Sequence, residues 1–233
     1  LRNSTKLKKM ILIARGHLKS RIFTIGYTIQ RILKNKNISI LINSEVSANA
    51  KSFLSEIKEY LTDKSDLKAF YGKFESDLWN SDEIVVSQRK KANKSKTIET
   101  SGQDKSKVSQ HYDLIMIDDL VNRQTVNTKE QMEKTRQNFS DCLDLLNPNG
   151  EMFIIGTRWH DEDIYGEIKK NFKDEFDIYE KRAIEAGKIT FPKKFNQAIL
   201  DELRKLKGEY DFNAQYLLDP VPYGQSHFKP PFR

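Results

Sequence analysis

Four isoleucine-rich runs, separated by segments of helical spacing, predict an α/β fold: a mainly parallel sheet with helices on both faces. The runs are Lys9-Met-Ile-Leu-Ile-Ala14, Ile38-Ser-Ile-Leu-Ile42, Asp113-Leu-Ile-Met-Ile117 and Met152-Phe-Ile-Ile155. Each is nearly continuous rather than alternating, the pattern of strands buried on both faces of a parallel sheet. Polar and charged residues cluster just after three of the runs, at the carboxyl ends of the expected strands, where open α/β sheets bind ligands.

The intervening elements follow in order. Lys19 to Lys34 places Ile22, Ile25, Ile29 and Ile32 at steps of three and four, a helical stripe. Ser47 to Leu61 does the same with Ala50, Phe53, Leu54, Ile57 and Leu61, and Thr128 to Leu146 with Met132, Thr135, Phe139, Leu143 and Leu146. Thr128 and Gln131 form a capping box at the start of that helix, and Asn147-Pro-Asn-Gly150 ends it. Residues 87–110 are polar and strongly basic, and read as an exposed hairpin or insertion. The stretch 179–218 reads as a closing helical segment, with helices over 195–207 and 209–218. Residues 219–233, opening Asp219-Pro-Val-Pro-Tyr-Gly224, read as an extended linker. There is no internal repeat.

Composition narrows the class. The 233 residues carry 40 Lys+Arg against 33 Asp+Glu, a formal net charge of +7, which suits a polyanionic partner. A single cysteine, Cys142, excludes an internal disulfide framework and a cysteine-rich zinc site, and fits a reducing cytoplasm. The longest apolar runs are about five residues, against roughly 20 needed for a membrane helix. No leader resembles a signal peptide. The abrupt start at Leu1 and end at Arg233 suggest a piece of a longer protein.

The first run leads into Ala14-Arg-Gly-His-Leu-Lys-Ser20 and then a long helix, the layout of a nucleotide phosphate loop. A helix N-terminus offers unpaired N–H groups and a positive dipole end to phosphate. In that reading Arg15, Gly16, His17, Leu18, Lys19, Ser20 and Arg21 surround the nucleotide, Lys19 meets the β/γ-phosphates and the Ser20 hydroxyl meets Mg²⁺. The glycines expected from the usual spacing fall on Ile13 and Leu18, and only Gly16 remains. A Lys-Ser pair at a helix start is also an ordinary cap.

The third run ends in Asp118-Asp119. An acid at the end of a buried strand can hold Mg²⁺ through water, and the next acid can polarise the attacking water. Asp119 stands where many such ATPases carry Glu, one methylene longer. The fourth run ends in Gly156-Thr157-Arg158-Trp159-His160. Inserted between the phosphate-loop strand and the acidic strand, as in additional-strand ATPases, it would point Thr157 at the γ-phosphate region. A solvent-facing cap for Asp118 and a core role for Trp159 are the plain structural alternatives.

Taken together these residues resemble the large terminase subunit of tailed bacteriophages. Arg15-Gly-His-Leu-Lys-Ser20 is similar to that family's deviant phosphate loop, and His111-Tyr-Asp-Leu-Ile-Met-Ile-Asp-Asp-Leu-Val121 to its acidic strand. Gly156-Thr-Arg-Trp-His160 with Asp163 resembles its coupling motif. Tyr210-Asp-Phe-Asn-Ala-Gln-Tyr-Leu-Leu-Asp-Pro220 resembles the segment closing its ATPase domain. The resemblance implies a P-loop NTPase of the additional-strand (ASCE) type, an ATPase domain over 1–218 that uses ATP and Mg²⁺ to drive double-stranded DNA into a procapsid. It implies a homo-oligomeric ring on the portal protein, a small terminase subunit as partner, and the host bacterial cytoplasm. Nuclease activity would belong to a second domain beyond the linker, in the full-length protein only.

The same resemblance implies Asp118 and Ser20 as Mg²⁺ ligands, Asp119 as the residue orienting water, and Thr157 as a reporter of phosphate loss. Arg15 is the implied arginine finger, with Arg158 as rival. For sequence-blind DNA contact the candidates are Arg89, Lys90, Lys91, Lys94 and Lys96, which would bind phosphates; the alternative is a solvated loop. Two other functions are consistent with the residues: a helicase-like translocase, and a DNA-binding module that has lost hydrolysis.

Overall fold

The structure, a computed structural model, describes residues 6–62, 66–92, 94–104 and 109–220. Its centre is a seven-stranded sheet in the order β3-β4-β2-β5-β6-β1-β7. The strands are β1 (Lys8–Ile13), β2 (Ile40–Ser44), β3 (Glu83–Ile84), β4 (Ile98–Gly102), β5 (Tyr112–Asp118), β6 (Leu146–Gly156) and β7 (Phe176–Lys181). All neighbours pair in parallel except the short edge strand β3, which runs antiparallel to β4. β6 lies between β1 and β5, so the strand after the acidic pair is inserted beside the phosphate-loop strand, as expected of the additional-strand architecture.

Burial on both faces explains the continuous apolar runs. Helix α1 is π-wound over Ser20–Tyr27 and α-helical over Thr28–Lys34. Its Ile25, Ile29 and Ile32 share one core with Ile11, Ile13, Ile40, Ile42, Leu114, Met116, Phe153 and Ile155, and with Ala50, Leu54 and Ile57 of α2 (Ser47–Leu61). The alternate strand residues Met10, Leu12, Leu41, Ile115, Ile117, Met152 and Ile154 enter the other core. Short α3 (Asp66–Tyr71) follows α2 and buries none of its residues. The second core is closed by Phe139 and Cys142 of α4 (Lys129–Asp144) and by Ile164, Tyr165 and Ile168 of α5 (Ile164–Asn171). The Thr128 cap forms as expected, its side chain accepting from the Gln131 N–H at 3.2 Å.

Two expectations need correction. Residues 87–110 are not simply an exposed basic insertion, because β4 lies within them and is buried along its whole length beside β2. Buried polar groups of β4 find partners inside the fold: the Glu99 carboxylate accepts from the Lys96 N–H and from the Tyr112 hydroxyl, and Ser101 Oγ accepts from the Asn43 amide. The closing segment does not begin at 179 either. Tyr179 lies in edge strand β7, paired with β1. A two-stranded hairpin, β8 (Ile184–Glu185) and β9 (Lys188–Ile189), then leads to α6 (Gln197–Lys207) and α7 (Glu209–Tyr216). These pack around Phe195, Leu200, Phe212 and Tyr216 against Ala14. Residues 221–233 of the expected linker lie outside the described residues.

Candidate active site at the carboxyl edge of the sheet

Register brings the three strand ends to one edge. Leu12 pairs with Gly156, Ile155 with Asp118, and Asp118 with Ser44. The loops leaving these strands line an open cavity of about 680 Å³, bounded by Arg15 to Arg21, Asp119, Thr157 and Trp159 among others. A hydrogen bond from Thr157 Oγ1 to the Ile13 carbonyl, 2.9 Å, ties the end of β6 to the end of β1.

The loop after β1 turns through left-handed backbone at Gly16 (φ 78°) and Leu18 (φ 61°). At Leu18 the side chain makes that conformation costly, which marks a position where the fold dictates the backbone. The Ala14 and Arg15 N–H groups donate to the carbonyls of Lys181 and Gln215, and that of His17 to the Ala14 carbonyl. Among the described residues the N–H groups of Gly16, Leu18 and Lys19 have no partner, leaving them available to an anion at the head of α1. His17 lines the cavity and is wedged against the closing segment. Its ring stacks on Phe195 at 4.8 Å, Nδ1 faces the Arg15 carbonyl at 3.0 Å, and burial lowers its pKa, which keeps it neutral.

Lys19 meets the acidic pair directly. Its ammonium lies 2.6 Å from Asp119 Oδ2 and 3.5 Å from Asp118 Oδ1. Burial pulls the Lys19 pKa down, but the two carboxylates outweigh it and hold it above the ordinary lysine value. Asp118 is fully buried; burial pushes its carboxyl pKa up, Lys19 opposes that, and Asp119 adds to it. Thr24 Oγ1 donates to Asp118 Oδ2 at 2.5 Å, while Asp118 Oδ1 has no hydrogen bond among the described residues. The Asp118 carboxylate, paired only loosely with Lys19 through Oδ1, and the Ser20 hydroxyl beside it form a hard-oxygen donor set that fits Mg²⁺, which takes few protein ligands and completes its shell with water and phosphate. Asp119 follows in left-handed backbone (φ 51°), its N–H held by the Ile155 carbonyl at 2.9 Å.

The two arginines separate. Arg15 lines the cavity, stacks over Trp159 with its guanidinium carbon 5.7 Å from the ring centre, and reaches Gln215 Oε1 at 3.4 Å. Arg158 is buried: Nε lies 2.9 Å from Asp163 Oδ1, and Nη2 donates to the carbonyls of His160 and Asp161. It does not line the cavity. Its partner Asp163 also caps α5 through the Gly166 N–H. Gly156 is required by packing, since a Cβ there would fall 2.1 Å from the Tyr165 hydroxyl.

The basic run lies elsewhere. Arg89 is half-buried, donating to the Ile38 carbonyl (2.5 Å), Ser39 Oγ (2.9 Å) and the Ser95 carbonyl (3.2 Å). That is the amino edge of the sheet, opposite the cavity. Lys90 and Lys91 are exposed there, their N–H groups held by Asn37 Oδ1, and Lys94 is also exposed. Lys96 is partly buried.

Several cavity residues carried no sequence signal. Asn49 and Lys194 arrive from α2 and from the turn before α6, and Arg123, ion-paired with Asp211 of α7, arrives from the loop after β5. The motif spacing does not reach them. Gln215 lies inside the closing segment, but only its contact with Arg15 gives it a role.

No protein-family model and no curated protein matches the sequence. Solved structures do. The large terminase ATPase domain of Thermus phage P74-26 superposes with a TM-score of 0.60 at 12% identity, over 94% of this chain and 90% of that one. The large terminase of a second thermophilic bacteriophage, in complex with ATP-gamma-S, gives 0.55 at 7% identity, over 91% of this chain and 47% of that one. The Phi-28 gp11 DNA packaging motor gives 0.50 at 12% identity, over 99% and 70%. At such identities the likeness establishes the fold, which is that of these ATPase domains, and this chain spans about half the length of the terminase holding ATP-gamma-S.

Proposed function

We propose that this chain is the ATPase domain of a phage large terminase, hydrolysing ATP to move double-stranded DNA into a procapsid. The observation that carries the reading is the convergence of Lys19, Ser20, Asp119 and Thr157 on one cavity, with Asp118 buried behind it. The fold shared with terminase ATPase domains supports it, as does the ATP analogue held by one of them.

In this mechanism the free N–H groups of Gly16, Leu18 and Lys19 cradle the phosphates. Lys19 exchanges its carboxylate partners for β/γ-phosphate oxygens. Ser20 and Asp118 would hold a magnesium ion, whose charge would offset that of the phosphates. Asp119, freed from Lys19, orients a water in line with the γ-phosphorus. A bond forms from the water oxygen to phosphorus as the bond to the β-bridging oxygen breaks, giving ADP, inorganic phosphate and a proton that passes toward Asp119. Arg15 stabilises the developing charge, a contribution worth about 10³–10⁵ in rate where an arginine finger acts. Arg158, engaged by Asp163, keeps the loop after β6 in shape, and Thr157 links phosphate loss to β1. Portal protein, small terminase subunit and a homo-oligomeric ring complete the assembly.

Mg·ATP binding and hydrolysis, stimulated by duplex DNA, tests the reading with Lys19→Ala and Asp118→Ala as controls. Undiminished turnover in both variants overturns it. DNA binding without nucleotide binding favours the non-hydrolysing module instead.

A further inference from the structure

β2 ends at Ser44, directly opposite Asp118 in the parallel register, so the two side chains leave the sheet on the same face. Ser44 is fully buried, and its Oγ makes no hydrogen bond among the described residues. The adjacent Asp118 Oδ1 also lacks a hydrogen bond among the described residues, but it is ion-paired with Lys19 at 3.5 Å. Buried hydroxyls are ordinarily paired, and one left over beside a polar cavity calls for a role.

Such a cavity is present. A pocket of about 260 Å³ is lined by Ser20, Ser44, Asn49, Ser52, Phe53 and Asp119. It joins the phosphate-loop serine, the second acid and the first turns of α2, where Asn49 and Ser52 are three residues apart and so share a helix face. A water needs two to four polar partners and room for about one probe sphere. Serine hydroxyls and the asparagine amide supply both donors and acceptors, and Asp119 supplies a carboxylate. Asp119 also reaches one methylene less far than glutamate would.

From this geometry we infer that Ser44, with Asn49, holds the attacking water against Asp119 during ATP hydrolysis. The inference rests on the hydrolase reading. Ser44 gives the water a fixed hydrogen-bond partner from the floor of the pocket, and Asn49 gives one from the side. The short acid then need only orient and accept a proton.

The test is Ser44→Ala and Asn49→Ala in the full chain with duplex DNA, measuring kcat, KM for Mg·ATP, nucleotide affinity and thermal midpoint, with wild type and Lys19→Ala as references. For Ser44→Ala the expected result is a kcat lower by about tenfold to a hundredfold. KM and nucleotide affinity stay within about twofold and the midpoint is equal or higher, because deleting an unpaired buried hydroxyl removes a desolvation cost. Asn49→Ala follows with a smaller loss, and Ser44→Thr, which keeps the hydroxyl, recovers part of the rate. An unchanged kcat in Ser44→Ala overturns the inference while leaving the hydrolase reading intact, and so does a loss of kcat in step with a lowered midpoint. Wild-type protein with no turnover above Lys19→Ala overturns the hydrolase reading and this inference with it.

Discussion

Lys19 Nζ donates to Asp119 Oδ2 at 2.6 Å, so the phosphate-loop cation and the strand-end acid neutralise each other across the cavity. Neither can serve a nucleotide without leaving the other. Lys19→Ala therefore does two things. It removes nucleotide binding, and it leaves the buried Asp118 without its nearest cation, a loss of about 3 kcal/mol for a broken buried pair. Isothermal calorimetry and urea unfolding read the two effects separately, and Asp118→Asn made on top of Lys19→Ala restores part of the stability but none of the binding.

Arg15 and Arg158 give opposite outcomes. Arg15→Ala lowers kcat by about 10³ or more with little change in unfolding midpoint, because the side chain is exposed and held chiefly by Gln215 and Trp159. Arg158→Ala leaves Asp163, 1% exposed, with an uncompensated charge and lowers stability by about 3 kcal/mol. Turnover and thermal unfolding of the two variants, compared side by side, check this.

Gly156→Ala brings a methyl group into the Tyr165 ring at the end of β6. The expected cost is about 1–3 kcal/mol from overpacking, with turnover reduced in the folded fraction, because Thr157 follows directly. Circular dichroism melts and ATPase assays give both numbers.

Acid sensitivity has an identifiable contributor. Glu151 of β6 accepts from Arg31 and, at 2.9 Å, from the Tyr27 hydroxyl. Burial raises its pKa, but the hydrogen bonds from Arg31 and Tyr27 outweigh that and hold it below the ordinary glutamate value. A depressed carboxyl pKa adds stability that is complete above the unfolded-state value and disappears as pH falls through the folded-state value. Urea unfolding of the wild type therefore loses midpoint below about pH 5, and Glu151→Gln flattens that slope.

The basic run divides by structure. Lys90, Lys91, Lys94 and Lys96 changed together to Ala reduce the salt slope of duplex DNA binding by about 0.9 for each phosphate no longer neutralised. Arg89→Ala instead destabilises, since its guanidinium holds Ile38, Ser39 and Ser95. A salt slope that survives the four lysine changes puts the DNA grip elsewhere.

The central strands and the three helices α1, α2 and α4 were legible because burial on both faces demands continuous Ile, Leu and Met, and one-sided burial demands a 3.6-residue stripe; of the strand order, only the place of β6 between β1 and β5 was expected. β4 was not legible. Ile98-Glu-Thr-Ser-Gly102 holds a single large apolar residue, and its burial depends on partners distant in sequence, Tyr112 for Glu99 and Asn43 for Ser101. The basic residues before it made the whole segment look solvated.

At the site, sequence by itself determined the chemistry: which residue types follow which strands, and hence a cation, a hydroxyl and two acids at one sheet edge. Tertiary structure decided the partners. It turned Arg158 inward to Asp163, aimed Arg15 across Trp159, closed Lys19 onto Asp119, and set the orphaned Ser44 hydroxyl beside Asp118. The physical reason is range. Strand periodicity and loop composition are local properties of the chain. Which side chain finds a hydrogen-bond partner and which stays unpaired depends on residues brought together from up to 200 positions apart, as Arg15 and Gln215 are.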